Sequence, residues 1–252
     1  MRLVSWNVAG RLKRQPEQAA AVLSMKPDVV CLQEVTVNSL PLWRQVLGEA
    51  GLIHDVTPLD KVVPPKPRRL AVLTASRQPL ERLDLVPLPW PERAASAILD
   101  GIEILNVHSP IAPSPGLAKV LTHEALFAYA RTRDKIVLCG DLNTPRRTHE
   151  DGDVMTFAYT SAGKLRPERG ERWDAAERAL VHTLRAEHGW EDAFLDDPQR
   201  TWTFKDDRGG WRLDHLLVRG VEVRERAYAH DWRRSGLSDH SAIVAEVETA
   251  PL

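Results

Sequence analysis

Short runs of apolar, often β-branched residues recur along the chain, each bounded by polar residues, Gly or Pro. Leu3–Val8, Asp28–Gln33, Leu70–Ala75, Leu83–Val86, Ala95–Leu99, Ile102–His108, Lys135–Cys139, Thr201–Phe204, Leu213–Val218 and Ser241–Val247 read as strands. Apolar positions spaced by three and four predict helices over Gln15–Met25, Pro41–Ala50, Leu117–Arg131 and Trp173–His188. Gly189 suits the residue after the last helix, where a left-handed backbone closes the helical turn. Two stretches read as long loops: Pro58–Arg69, with Pro64-Pro65-Lys66-Pro67-Arg68-Arg69 at its heart, and Pro145–Glu171, rich in charge, Gly and Pro.

Strands and helices alternate too irregularly for a doubly wound parallel sheet. An α/β fold of two packed sheets with helices outside fits the order better. Chemically suggestive residues fall on both sides of each loop, so residues 1–252 are expected to form a single domain.

Composition narrows the function classes. The chain has 252 residues, 43% hydrophobic and 27% charged, with a net charge of −1. It therefore lacks the global positive field of a dedicated non-specific nucleic-acid binder, and a local basic patch or a small phosphate substrate stays open. Cys31 and Cys139 each lie within an apolar run and read as reduced, buried residues rather than a disulfide. No stretch reaches the roughly 20 apolar residues of a membrane span, and the start of the chain has no apolar signal region. A cytoplasmic monomer without membrane contact is the expectation.

Candidate chemistry sits at strand ends, where an apolar run meets a polar side chain. Asn7 ends Leu3-Val4-Ser5-Trp6-Asn7 and reads either as a turn former or as an oxygen ligand for a hard cation. Glu34 follows the buried run Val29–Gln33, where a carboxylate must be solvated, paired or metal-bound. His108 ends Ile104-Leu105-Asn106-Val107 just before Ser109-Pro110. In Gly140-Asp141-Leu142-Asn143 the polar residues alternate, so on an extended backbone Asp141 and Asn143 share a side. Arg212-Leu213-Asp214-His215 and Ser238-Asp239-His240 each put an Asp-His pair at a strand edge. An Asp from one could orient the His of the other, which leaves Asp239 free to meet a metal.

In type and order, this series resembles the endonuclease/exonuclease/phosphatase superfamily, from Asn7 to His240. The resemblance implies a four-layer α/β sandwich and hydrolysis of phosphoesters with Mg2+ or Mn2+. It implies that Glu34, Asn7 and Asp239 hold the metal. Asp141 and Asn143 would position and activate the attacking water. His240, held by Asp214, would contact the scissile phosphate, and His108 would assist there.

Within the superfamily, Trp202-Thr203-Phe204, Gly210-Trp211-Arg212-Leu213-Asp214 and the region 163–194 resemble exonuclease III and abasic-site endonucleases. That implies DNA as partner, with Trp211 lining a substrate pocket; inter-sheet packing is the plainer role for Trp202 and Trp211. Arg146 and Arg147, directly after the Asp141–Asn143 motif, are candidate phosphate contacts. Arg68, Arg69, Arg166, Arg169 and Arg208 are weaker ones. Two departures pull the other way: Val35-Thr36 stands where the repair enzymes carry Thr-Lys, and His108 where they carry Tyr. They keep open a phosphodiesterase or phosphatase for small-molecule or lipid phosphates.

Overall fold

A computed structural model of the chain describes residues 1–61, 69–85, 87–203 and 209–249. Arg68, Phe204, Arg208 and Pro64–Arg68 of the first loop, together with Val86, lie outside them. The strands run in chain order as β1 (Arg2–Asn7), β2 (Val29–Val35), β3 (His54–Val56), β4 (Ala71–Ser76), β5 (Glu81–Leu83), β6 (Ala94–Leu99), β7 (Ile102–His108) and β8 (Ile136–Asp141). They continue as β9 (Arg147–Thr148), β10 (Val154–Met155), β11 (Glu191–Asp192), β12 (Trp202–Thr203), β13 (Gly210–Trp211), β14 (Asp214–Arg219), β15 (Val221–Ala229) and β16 (Ala242–Thr249). The helices are α1 (Gln15–Ser24), α2 (Leu40–Glu49), α3 (Ala118–Ala130), α4 (Gly170–Arg178), α5 (Leu184–His188) and α6 (His230–Arg234).

Two six-stranded sheets form the centre, in the orders β15-β16-β1-β2-β4-β3 and β11-β14-β8-β7-β6-β5. Each has one parallel pair near its middle, β1 with β2 and β7 with β8. Alternation along each strand sorts side chains into layers. From β1, Val4 and Trp6 face outward and pack with Ala19 and Val22 of α1 and Trp43 and Leu47 of α2. Leu3 faces inward, in one cluster with Cys31, Ile104, Val137, Cys139 and Leu216 between the sheets. Leu105 and Leu138 face the other outer layer, against Leu126 of α3 and Leu184 of α5. The result is the expected four-layer α/β sandwich, and both cysteines are free and buried within it. Among the described residues no helix is long and apolar enough to cross a membrane.

The inner layer is not wholly apolar. Gln33 Nε2 donates across the sheet interface to Asn106 Oδ1 at 2.8 Å and, within its own sheet, to Ser5 Oγ at 3.2 Å. Asn106 Nδ2 donates in turn to Leu73 O at 3.1 Å. All of these groups are buried, so the bonds fix the offset of the two sheets next to the strand ends that carry Asn7, Glu34 and His108.

Several boundaries differ from the sequence expectation. The strand expected over Leu83–Val86 is β5, displaced toward the N-terminus. The long strand β15 and the short helix α6 were not expected. In β15, Glu222, Arg224, Glu225 and Arg226 interrupt the apolar pattern, and as an edge strand it needs no apolar outer face. The helix expected over Trp173–His188 begins at Gly170 and passes through a π-helical turn, Ala179–Thr183, between α4 and α5.

Candidate active site

Strand register brings the polar strand ends together. In the second sheet, His108 pairs with Asp141 and Asp141 with Asp214, so three adjacent strands present side chains on one face. In the first sheet, Asn7 lies at the end of β1 beside Gln33, the residue before Glu34. The turn before β16 adds Asp239 and His240. Glu34, His108, Asp141, Asn143, Asp239 and His240 all line one cleft of about 440 Å³, shared with Arg146, Trp202 and Trp211.

Local backbone geometry aims two of these groups. Glu34 has φ of +61°, at an irregularity where the β2–β4 register shifts between Leu32 and Val35. Asn143 has φ of +52°. A non-glycine residue in this left-handed region costs about 1 kcal/mol or more, a strain typical of functional positions. Gly140, at φ +124°, lets β8 lie against β7: a Cβ there would meet Val107 O at 2.1 Å.

Asn7 binds the carboxylates to one another. Its Nδ2 donates to Asp141 Oδ2 at 3.0 Å and to Glu34 Oε1 at 3.2 Å, while its Oδ1 accepts from Ala9 N–H at 2.9 Å. Asn143 N–H donates to Asp141 Oδ1 at 2.8 Å, and Asn143 Nδ2 to Ser109 O at 2.8 Å. His240 Nδ1 lies 2.8 Å from Asp214 Oδ2, and its Nε2 lies 3.8 Å from Asp141 Oδ2. Trp202 Nε1 donates to Asp239 Oδ2 at 3.1 Å. His215, the other half of its Asp-His pair, points to Thr144 O at 2.7 Å instead, outside the cleft lining.

Burial and charge tune the groups in different directions. Burial raises the Asp141 carboxyl well above the usual range, and neighbouring Asp214 adds to this while His240 opposes it. Burial also raises Glu34, with Asp239 adding its repulsion. Burial disfavours a charge on His240, yet Asp214 and Asp141 outweigh it and hold the imidazolium up to about 10. His108 goes the other way: burial, then Arg93 and His240, keep it neutral.

Arg93, in the short 3-10 turn Pro91–Arg93 before β6, is the site residue that sequence reasoning missed. Its Nη1 lies 2.6 Å from His108 Nδ1 and 2.9 Å from Nε2. A neutral ring has one acceptor nitrogen and arginine only donates. Acceptance at the nearer Nδ1 would leave the ring proton on Nε2, which lies 3.5 Å from Glu34 Oε1 and 3.8 Å from Asp141 Oδ2. Of the weaker arginine candidates, Arg69 is committed to Glu92 at 3.4 Å and Arg166 to Glu168 at 3.5 Å.

The donor set fits a hard divalent cation. Glu34 and Asp239 repel one another, and among the described residues Asp214 Oδ1 is buried with no hydrogen-bond partner. This excess of oxygen donors suits Mg2+ or Mn2+. Asp141, Asp214 and His240 also cluster with potential ligand atoms within 4.8 Å. With His240 charged and paired to Asp214, the same cluster is also an ion-paired acid–base unit.

A sequence model of the Endonuclease/Exonuclease/phosphatase family matches residues 4–240. The chain belongs to this family. A 3'-5' exonuclease (NExo) from Neisseria meningitidis has the same fold at 21% identity and a TM-score of 0.70, covering 98% of this chain and 100% of that one. A structure of 3' phosphatase NExo from Neisseria, bound to product DNA hairpin, matches at 21% identity and a TM-score of 0.68, with 98% and 99% coverage. An AP endonuclease from Archaeoglobus fulgidus matches at 20% identity and 0.72, with 99% and 100% coverage. No curated protein sequence matches the chain.

Proposed function

We propose that this family member is a single-domain, divalent-metal-dependent nuclease that hydrolyses DNA phosphodiester bonds. The observation that carries the reading is the gathering of Glu34, His108, Asp141, Asn143, Asp239 and His240 around one open cleft flanked by Arg146 and Trp211. Structural relatives described as an exonuclease, an AP endonuclease and a DNA-bound 3' phosphatase support DNA as the partner.

In this mechanism Asp141 accepts the proton of the attacking water. Its raised pKa brings it toward the working pH, which favours a general base. Asn143, tied to Ser109 O and to Asp141, orients the same water. His240 donates from Nε2 to a non-bridging phosphate oxygen, and Asp214 on Nδ1 holds the ring charged and aimed. His108, neutral and anchored by Arg93, donates a further Nε2–H to the phosphate. A bound Mg2+ or Mn2+ at Glu34 and Asp239 would offset charge on the phosphate and the leaving oxygen. Asn7 orients the Glu34 and Asp141 carboxylates, and its Oδ1, which accepts from Ala9 N–H, keeps a second lone pair for a cation.

A gel assay on duplexes carrying an abasic site, a nick or a 3'-phosphate, with and without Mg2+, tests this. Metal-dependent cleavage or dephosphorylation of at least one is expected, and inertness toward all of them removes the nuclease. The alternative, a phosphodiesterase or phosphatase for small-molecule or lipid phosphates, draws on His108 and on the net charge of −1. Turnover of small esters with DNA untouched selects it.

A further inference from the structure

The cleft continues past the carboxylates. Arg146 and Trp211 line both the cleft and an adjoining cavity of about 330 Å³, whose other walls include Arg147, Arg200 and Arg212. Arg212 is neutralised by Asp192, with Nη1 and Oδ2 2.8 Å apart. Among the described residues Arg146, Arg147 and Arg200 form no ion pair with a carboxylate. Arg146 lies over the Phe157 ring at 5.1 Å, and its Nε is buried without a hydrogen-bond partner. Burial and the nearby charges of Arg166 and Arg169 disfavour its cation, so a bound anion would relieve both.

Uncompensated guanidinium groups around a cavity match phosphate, which arginine grips with paired donors. A lone phosphomonoester in the cleft would leave this second cavity unused. A nucleic-acid strand would not, because the phosphate next to the scissile one comes with it. Trp211 borders both spaces; its ring stacks on Trp202 at 5.0 Å and 5° and meets Phe157 edge-on at 5.2 Å.

We infer that the arginine-lined cavity is a second phosphate subsite, so the substrate is a nucleic-acid strand bearing a phosphate adjacent to the scissile linkage. This rests on the nuclease function proposed above and narrows its substrate class.

The test uses short single-stranded oligonucleotides in which the linkage on either side of the cut is replaced by an uncharged methylphosphonate. For the wild type, one of the two replacements lowers kcat/KM about tenfold, the loss of one charge-assisted hydrogen bond. For an Arg147→Gln/Arg200→Gln variant, that replacement costs no more than about threefold, since its partners are gone. Both side chains are exposed, so the variant keeps the fold. Equal penalties in wild type and variant overturn the subsite while leaving the nuclease intact. Fluorescence anisotropy of a labelled strand in EDTA reads the same cavity without cleavage. The variant is expected to lose about one unit of salt-dependence slope per arginine, and an unchanged slope overturns the subsite. Inertness toward all oligonucleotides defeats the nuclease function itself, and the substrate claim falls with it.

Discussion

Replacing Lys119 by Met probes the support beneath the catalytic turn. Lys119 and Glu177 are fully buried, with Nζ and Oε1 2.6 Å apart. Lys119 Nζ also donates to Asn143 O at 2.7 Å, directly behind the strained Asn143 backbone. Glu177 accepts further bonds from Trp173 Nε1 at 2.7 Å, Thr144 Oγ1 at 2.8 Å and Phe157 N–H at 2.7 Å. Burial pushes the Glu177 carboxyl up, but Lys119, then His123 and the Phe157 N–H, hold it below its usual value. Methionine keeps the shape and removes the charge, leaving Glu177 buried and uncompensated.

Removing one partner of a buried pair costs roughly 3–5 kcal/mol. The remaining donors to Glu177 place Lys119→Met near the lower end, about 3 kcal/mol. For a chain of this size that is a Tm lower by roughly 6–12 °C. The sign with pH follows from the carboxylate. In the wild type, the Glu177 contribution is present above the unfolded value of about 4.3 and is lost as pH falls through the lower folded value. In the variant the carboxylate loses its cation and burial raises its folded value above the unfolded one, so the cost of Lys119→Met is largest at higher pH and shrinks as pH falls and Glu177 takes up a proton. Urea denaturation of Lys119→Met, Glu177→Gln and the double variant at several pH values reads both effects. The double variant should recover part of the cost, with a coupling of about 1 kcal/mol or more. A cost for Lys119→Met below about 1 kcal/mol, or strict additivity, would mean that Lys119 does not neutralise Glu177 in the folded protein.

Other outcomes follow from the same structure. Gly140→Ala forces a Cβ against the Val107 carbonyl, so it should destabilise by about 2 kcal/mol or more, read as a lower urea midpoint. Asp192 is held below its usual carboxylate value: burial opposes this, but Arg212 prevails. Its contribution is therefore present above about pH 4 and lost as pH falls through the folded value, and Asp192→Asn should flatten the acid limb of an unfolding titration. Asp214→Asn should leave the fold intact and lower kcat by about a hundredfold or more, because His240 loses the group that aims and charges it.

The strand ends were legible because a buried apolar run that stops at a carboxylate or imidazole is chemically conspicuous. The order Asn7, Glu34, His108, Asp141, Asp214, His240 then needs only strand pairing to become a cluster, and the Asp141–Asp214 and His108–Asp141 register supplies it. Arg93 was not legible. It sits in a Pro-led turn outside any strand-end motif, and its meaning depends on β6 and β7 pairing antiparallel to bring it beside His108. Lys119 and Glu177 were hidden for a related reason. On a helix a charged residue reads as solvated, and only the packing of α3 against α4 buries the two together. Strand β15 escaped because an edge strand with charges on its outer face lacks the alternation that marks a half-buried one.

The most direct measurement of the central claim is metal-dependent hydrolysis of a DNA substrate by the wild type beside a folded His240→Ala variant. Turnover that EDTA abolishes and Mg2+ restores is expected, with the variant slower by about a hundredfold or more. Near-normal turnover by His240→Ala, or wild-type activity indifferent to EDTA, would contradict it.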